Sequence, residues 1–138
     1  MSQVIIHTNE NGGVCVTIPT PEFLETNTIE NVKAKDTPDH SIIVNQEDLP
    51  NEDNDFFNSW ELNNGVVTVN LSKAKEQTKE RLRHERVSLL AAQDVLFQRA
   101  LEASADTTAI VAEKQRLRDV TLLVDVCTTT SQLRAITV

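Results

Sequence analysis

Glycine and cysteine are scarce in this chain of 138 residues, and long apolar runs are absent. With three glycines, the chain offers no Gly-rich loop of the kind that binds phosphates. Its two cysteines are isolated, one in each half, which favours buried thiols in a reducing compartment over a disulfide framework. No apolar run approaches the roughly 20 residues of a membrane span, and the first residues lack a secretory signal pattern. We therefore expect no membrane partner.

The residue patterns of catalytic and metal sites are also missing. The histidines His7, His40 and His84 have no HxH, HExxH or Cys/His spacing, and no serine or cysteine lies in a nucleophile motif. The acidic loop at 47–55 lacks the ligand spacing, central glycine and closing glutamate of a calcium loop, so a solvated loop is the better interpretation. We expect a protein that is not an enzyme and that binds no metal or cofactor.

Positive charge is rare in the first half of the chain. Residues 1–70 carry twelve Asp and Glu against two Lys, whereas residues 71–138 carry eleven Lys and Arg against nine acidic residues. The first half therefore holds about −10 and the second about +2 of the net charge of −8. Nucleic-acid binding needs clustered cations, usually interleaved with aromatic side chains for stacking, and the basic stretch has no such aromatics. We expect protein partners and no nucleic acid.

One long helix is predicted over about 71–103, because this stretch contains no Gly or Pro and repeats apolar or small residues at steps of three or four. At about 1.5 Å per residue it would be roughly 50 Å long. Its first part, 72–86, is almost entirely polar, and its second part, 87–101, is apolar around much of its circumference.

Shorter helices are predicted after a break at 104–108. Residues 109–120 form the first of them, residues 121–126 either extend it or are an extended piece, and a last helical turn follows Thr130. We expect a helical hairpin with a short capping helix, in which the second helix covers the apolar part of the long one and leaves 72–86 projecting or docked elsewhere.

The projecting part is the predicted partner-binding surface. A solvated helix face is the simpler interpretation of its charges, and docking on an acidic protein surface is the more specific one. The side chains predicted to bind a partner are Lys75, Lys79, Arg81, Leu82, Arg83 and Arg86.

Asp94 is the ionisable residue within the apolar run, so it is either a partner-binding carboxylate or half of an ion pair between the helices. We favour the ion pair, with Arg116 or Arg118 as the other half and Arg118 preferred. If such a pair is buried, removal of one partner costs about 3–5 kcal/mol.

The residue patterns of the first half predict a small acidic β-rich domain with a short helix. Thr28 has the features of an N-cap for that helix, which stops before Pro38. The aromatic residues between 56 and 60 are expected to fill the core. Four short strands are predicted at residues 4–6, 14–18, 41–44 and 66–69, and the TNENGG segment joins the first two as a hairpin. The fold class is therefore α+β, with a head domain at 1–69 and a helical hairpin module at 70–138.

Several residue groups in the second half form a recognisable series. They are Arg81-x-Arg83, Arg86, Leu89-Leu90-Ala91-Ala92, Asp94-Val95, Phe97 and Arg99-Ala100, followed by Lys114-Gln115-x-Leu117-Arg118-Asp119 and Leu133. This series resembles a module of tailed-bacteriophage tail-assembly chaperone-like and tail-fibre-assembly proteins, and of small virion proteins encoded near the tail and fibre genes. Gln93 departs from the series, since a second leucine is usual there.

The first half carries a second series of this kind. Its groups are Ile29-Glu30, Lys35-Asp36-x-Pro38, Ile42 to Val44, Asp48-Leu49-Pro50 and Phe57-x-x-Trp60-Glu61. Together they resemble the leader domain that precedes such helical modules.

The resemblance implies a non-enzymatic virion protein, assembled in the host cytoplasm, that acts as a protein–protein adaptor in the tail or the tail-fibre/baseplate region. Its partners would be other phage structural proteins, such as tail, fibre or baseplate subunits. Two alternatives stay open: a tail or tail-fibre assembly chaperone absent from the mature particle, and a self-associating cytoplasmic binding or regulatory module that would form a homo-oligomer. The family has no catalytic residues to transfer.

Overall fold

The computed structural model describes residues 2–138. Its contacts divide the chain into two compact units, residues 1–70 and 71–138, next to the boundary that the sequence predicts between 69 and 70. The first unit contains two small antiparallel sheets with short helices, and the second is built from helices, so the chain is α+β as predicted. Within residues 2–138, no helix is both long enough and apolar enough to span a membrane.

The elements follow the predicted order closely. The strands are β1 (Gln3–Thr8), β2 (Val14–Thr17), β3 (Ile42–Asn45), β4 (Trp60–Asn63) and β5 (Val66–Val69). The α-helices are α1 (Pro21–Leu24), α2 (Ile29–Asp36), α3 (Leu71–Glu102), α4 (Thr108–Asp119), α5 (Leu122–Asp125) and α6 (Thr130–Ala135). Two 3-10 helices, Gln46–Asp48 and Asn51–Ser59, contain most of the acidic segment at 47–55, which was predicted to be a loop. The four predicted strands are present, whereas β4 and α1 were not predicted, and the segment at 121–126 contains a separate short helix.

β1 is the middle strand of a sheet with the order β2-β1-β3. The predicted hairpin is confirmed, with Ile6 of β1 opposite Val16 of β2. The Asn9 side chain accepts hydrogen bonds from the N–H groups of Asn11 and Gly13, both at 2.9 Å, and these bonds close the turn.

Layers on both faces of this sheet bury the central strand. Val4 and Ile6 pack in a cluster with Trp60 of the β4–β5 hairpin, while Ile5 packs against Ile29 of α2. Because both faces are covered, consecutive residues of β1 are apolar and fully buried, where a strand with one solvated face would alternate.

The predicted roles of Thr28 and of the aromatic residues are confirmed. The Thr28 hydroxyl accepts a hydrogen bond from the N–H of Asn31 at 3.2 Å, so Thr28 caps α2. Phe56 and Trp60 are buried, and the Trp60 indole N–H donates to the carbonyl of Asp53 at 3.2 Å. This bond lets the one tryptophan enter the core without leaving its donor unpaired.

The helices after α3 lie along it differently from the prediction. We call residues 71–86 of α3 the proximal half and residues 87–102 the distal half. The buried residues of α3, which are Ala74, Thr78 and Leu82, all lie in the proximal half. α5 and α6 contact α3 in addition to α4, so three consecutive helices cover it. The prediction that 72–86 projects or docks on another surface is therefore wrong.

Candidate interaction surface

Two arginines of the proximal half bind backbone carbonyls where the following helices end. Arg86 donates to the carbonyl of Arg118 in the last turn of α4, at 2.8 Å. Arg81 donates to the carbonyl of Ile136, directly after α6, also at 2.8 Å. Carbonyls at a helix C-terminus lack partners in their own helix and carry partial negative charge. Arg86 and Arg81 therefore act as C-terminal caps for α4 and α6.

Two lysines bind the end of α5 in a similar way. Lys75 donates to the backbone carbonyl of Asp125 at 3.2 Å, and Lys79 Nζ lies 2.8 Å from the carboxylate of the same residue. The hydrogen bond between the Lys79 and Asp125 side chains raises the pKa of Lys79 and lowers the pKa of Asp125. Both groups are therefore charged at neutral pH, and the pair joins α5 to α3.

The predicted partner-binding residues thus mostly have contacts inside the chain. Leu82 was wrongly placed on the surface, because its exposed fraction is 0% and no partner can contact it. Arg83 is exposed and pairs with Glu80 one turn earlier. The remaining cations, all with contacts inside the helical unit, are Lys75, Lys79, Arg81 and Arg86.

Asp94 forms an ion pair between α3 and α4, but its partner is Lys114 and the predicted partner Arg118 was wrong. Asp94 Oδ1 lies 2.7 Å from Lys114 Nζ, which also lies 5.0 Å from the centre of the Phe97 ring. The alternative partner, Arg116, pairs within α4. The Asp94 side chain is 63% exposed, so the pair contributes less than about 1 kcal/mol, not the larger value of a buried pair.

Large aliphatic side chains are exposed on the distal half of α3 and on α4. They are Val87 (65% exposed), Leu89 (40%), Val95 (49%), Leu96 (44%), Leu101 (52%) and Val111 (48%). We call these six residues the apolar tip. A smaller group on and after α5 consists of Leu122, Leu123 and Val126.

The apolar tip is not a single stripe. Leu89 and Leu96 are seven residues apart and share one face of α3, whereas Val95 lies about 100° further round the helix. α4 covers one side of the distal half, and the sides that carry Leu89, Leu96 and Val95 stay open. A single exposed aliphatic group needs no explanation, but the helical unit leaves six of them open, on several faces of the distal half of α3 and on α4. The apolar tip is therefore the candidate functional surface.

Within residues 2–138, no set of three or more His, Cys, Asp or Glu side chains is placed to hold a metal ion. The rings of His7 and His40 lie edge to face with their centres 5.7 Å apart. Both cysteines are free; Cys127 is buried and Cys15 is partly buried.

Sequence reasoning missed the capping role of the cations because carbonyl acceptors leave no pattern in the sequence. A weaker signal was present. Lys75, Lys79, Leu82 and Arg86 follow steps of three or four, so these cations flank the same helix face as a leucine. Long cationic side chains beside an apolar face often lay their stems over packed neighbours.

Comparisons of the chain with protein-family models, with curated proteins and with solved structures find no match.

Proposed function

We propose that this chain is a non-enzymatic protein of tailed-phage particles that acts as a protein–protein adaptor in the tail or the tail-fibre/baseplate region. The apolar tip is the observation that supports this role best. Removing exposed aliphatic groups from water is favourable, so the apolar tip promotes association with a partner that covers it. The residue series that resembles tail and fibre assembly modules supplies the phage context.

The size of the apolar tip predicts how strong one contact can be. Full burial of a Val or Leu side chain contributes about 1.5–3 kcal/mol, and the six side chains are roughly half exposed. Covering all six would thus contribute about 5–9 kcal/mol before the entropy cost of association, which is itself about 4–15 kcal/mol. One tip alone therefore binds weakly. Several copies held in a repeated particle would bind far more tightly, which suits a structural adaptor.

The same surface is compatible with a tail or tail-fibre assembly chaperone, which would release its client before the particle is complete. Mass spectrometry of purified particles of the encoding phage separates these roles. We expect the protein at a fixed copy number relative to a tail subunit. Absence from particles, with co-purification of a fibre subunit during infection, would indicate the chaperone. Free oligomers with neither association would indicate the regulatory module.

A surface variant connects this role to the apolar tip. Leu96→Glu places a charge on the tip, and we expect it to lower incorporation into particles at least tenfold. Val126→Glu is the matched control, because Val126 is an exposed aliphatic residue of the same unit outside the tip. Val126→Glu should keep the wild-type melting temperature, and Leu96→Glu should lower it by only a few degrees, since neither residue is fully buried. Equal incorporation of the two variants would contradict the assignment.

A further inference from the structure

A cleft of about 530 Å³ opens at one end of the three-stranded sheet in the first unit. It lies where β2 ends, β1 begins and β3 ends, and helices α1 and α2 complete its walls. Its volume falls within the range of about 300–1,000 Å³ that is usual for ligand-binding clefts. The apolar residues that line it are Ile18, Pro19, Pro21, Leu24 and Ile29.

Local chemistry keeps this cleft open and apolar. Pro19 and Pro21 have no N–H groups, so the backbone that leaves β2 cannot extend the sheet across the opening. Ile18 is 62% exposed and Leu24 is 41% exposed, although both line the cleft. The polar lining residues are neutral, and the N–H of Gln46 donates to the carbonyl of Ser2 at 2.9 Å. The cleft therefore offers aliphatic contacts without a charged group inside it.

The charged residues next to the lining residues in sequence are all acidic. Four exposed glutamates each directly follow a lining residue: Glu22, Glu25, Glu30 and Glu47. None of the four forms an ion pair within residues 2–138, so their charges are available to a partner. The nearest cation in sequence is Lys33, one turn after Ile29 on α2, so the residues flanking the lining are acidic in net charge, with four glutamates against this one lysine. A cationic partner would find complementary charge here, and an acidic one would be repelled.

We propose that this cleft is a docking site for a protein segment that presents an aliphatic side chain flanked by lysine or arginine. The aliphatic side chain would occupy the space between Ile18, Leu24 and Ile29. The flanking cations would pair with the four glutamates. This site belongs to the first unit and does not depend on the apolar tip or on the proposed function.

Titration of the full-length ¹⁵N-labelled chain with three capped peptides tests the site. The probe is Lys-Lys-Ile-Leu-Lys-Lys, and the controls are Lys-Lys-Ser-Ser-Lys-Lys, which lacks the anchor, and Glu-Glu-Ile-Leu-Glu-Glu, which reverses the charge. We expect the probe to shift the amide signals of Ile18, Leu24 and Ile29, and both controls to bind at least tenfold more weakly. Added salt should weaken probe binding, since the flanking contacts are exposed ion pairs.

A variant locates the binding in the cleft. Leu24→Arg puts a cation at the lining and should weaken probe binding at least tenfold, while Leu122→Arg, the same change in the other unit, should not. α1 contains no buried residue, so Leu24→Arg should leave the melting temperature unchanged. Three results would each overturn the proposal: equal binding of the serine peptide with shifts spread over the acidic segment at 47–55, equal binding of the glutamate peptide, or no shift at the lining residues.

Discussion

The burial of the two halves of α3 is the opposite of what their composition suggests. The proximal half is almost entirely polar, yet it contains the buried residues of the helix, whereas the distal half is rich in aliphatic residues and leaves many exposed. A count of polar and apolar residues would predict that the distal half of α3 is the buried one, which is wrong. Whether a segment is buried depends less on its number of cations than on whether their aliphatic stems can pack and their charged groups can find acceptors.

The reason for this inversion is the way the chain continues after α4. α4, α5 and α6 pack against α3, and each of these helices ends at a cation of the proximal half. The side chains that look free to bind a partner are therefore needed to satisfy helix ends. α4 pairs with the distal half through Asp94 and Lys114, and the aliphatic residues of that half that stay exposed are left for a partner.

The largest expected effect comes from a Leu→Ala substitution, which we compare between the two halves of α3. Leu82→Ala empties a fully buried site in the proximal half and should destabilise the protein by about 2–5 kcal/mol. Leu96→Ala, the matched change in the distal half, should cost less than about 1 kcal/mol, because Leu96 is already 44% exposed. Urea unfolding followed by circular dichroism measures both, and equal losses would erase the distinction between the halves.

A cap-removing substitution should have the next largest effect. Arg81→Met keeps most of the aliphatic stem and removes the donors to the Ile136 and Leu133 carbonyls, so it should cost about 1–3 kcal/mol. Arg83→Met is the control, since Arg83 is exposed and pairs with Glu80 on the same helix, a contact worth about 0.2–0.5 kcal/mol. The same unfolding measurement applies. If Arg81→Met proved as mild as its control, the capping role would be refuted.

The ion pair of the distal half should have a smaller effect. Asp94→Ala should cost less than about 1 kcal/mol, because the carboxylate is largely exposed. A double-mutant cycle with Lys114→Met isolates the pair energy from other losses. A coupling of 3 kcal/mol or more would mean that the pair is buried by a further contact, for example in an assembled state.

The smallest expected effect is a change in the pH dependence of stability. The Lys79 hydrogen bond lowers the pKa of Asp125, so the unfolded chain holds the proton more tightly than the folded one. This contribution is complete above the ordinary aspartate pKa of about 3.9 and is lost as the pH falls through the lower pKa of the folded state. The stability difference between wild type and Asp125→Asn should therefore shrink between pH 6 and pH 2 in urea unfolding. A difference that stayed constant would show that the pair does not stabilise the fold.

Much of the fold could be predicted from local patterns. The β1–β2 hairpin, the Thr28 cap and the extent of α3 depend on turn residues, capping side chains and residue periods that act over a few positions. The packing of α5 and α6 could not be predicted in this way. Their contacts with α3 join residues about 50 positions apart and use backbone carbonyls as acceptors.

The candidate surface shows the same limit. The apolar character of 87–101 was evident, but whether its residues are covered depends on where the later helices lie. Asp94 was correctly expected to pair between the helices, and its partner was wrong because the register of α4 against α3 is a tertiary property. The cleft at the end of the three-stranded sheet has no sequence signal beyond Pro19 and Pro21.

Site-specific photo-crosslinking during infection tests the central claim most directly. A photoreactive residue is introduced at Val95 on the apolar tip or at Arg83 on the proximal half, and both positions are exposed. The adaptor role predicts a crosslink from position 95 to a tail, fibre or baseplate subunit, with at least tenfold less from position 83. A crosslink mainly from position 83, or none from position 95 in particles that contain the protein, would contradict it.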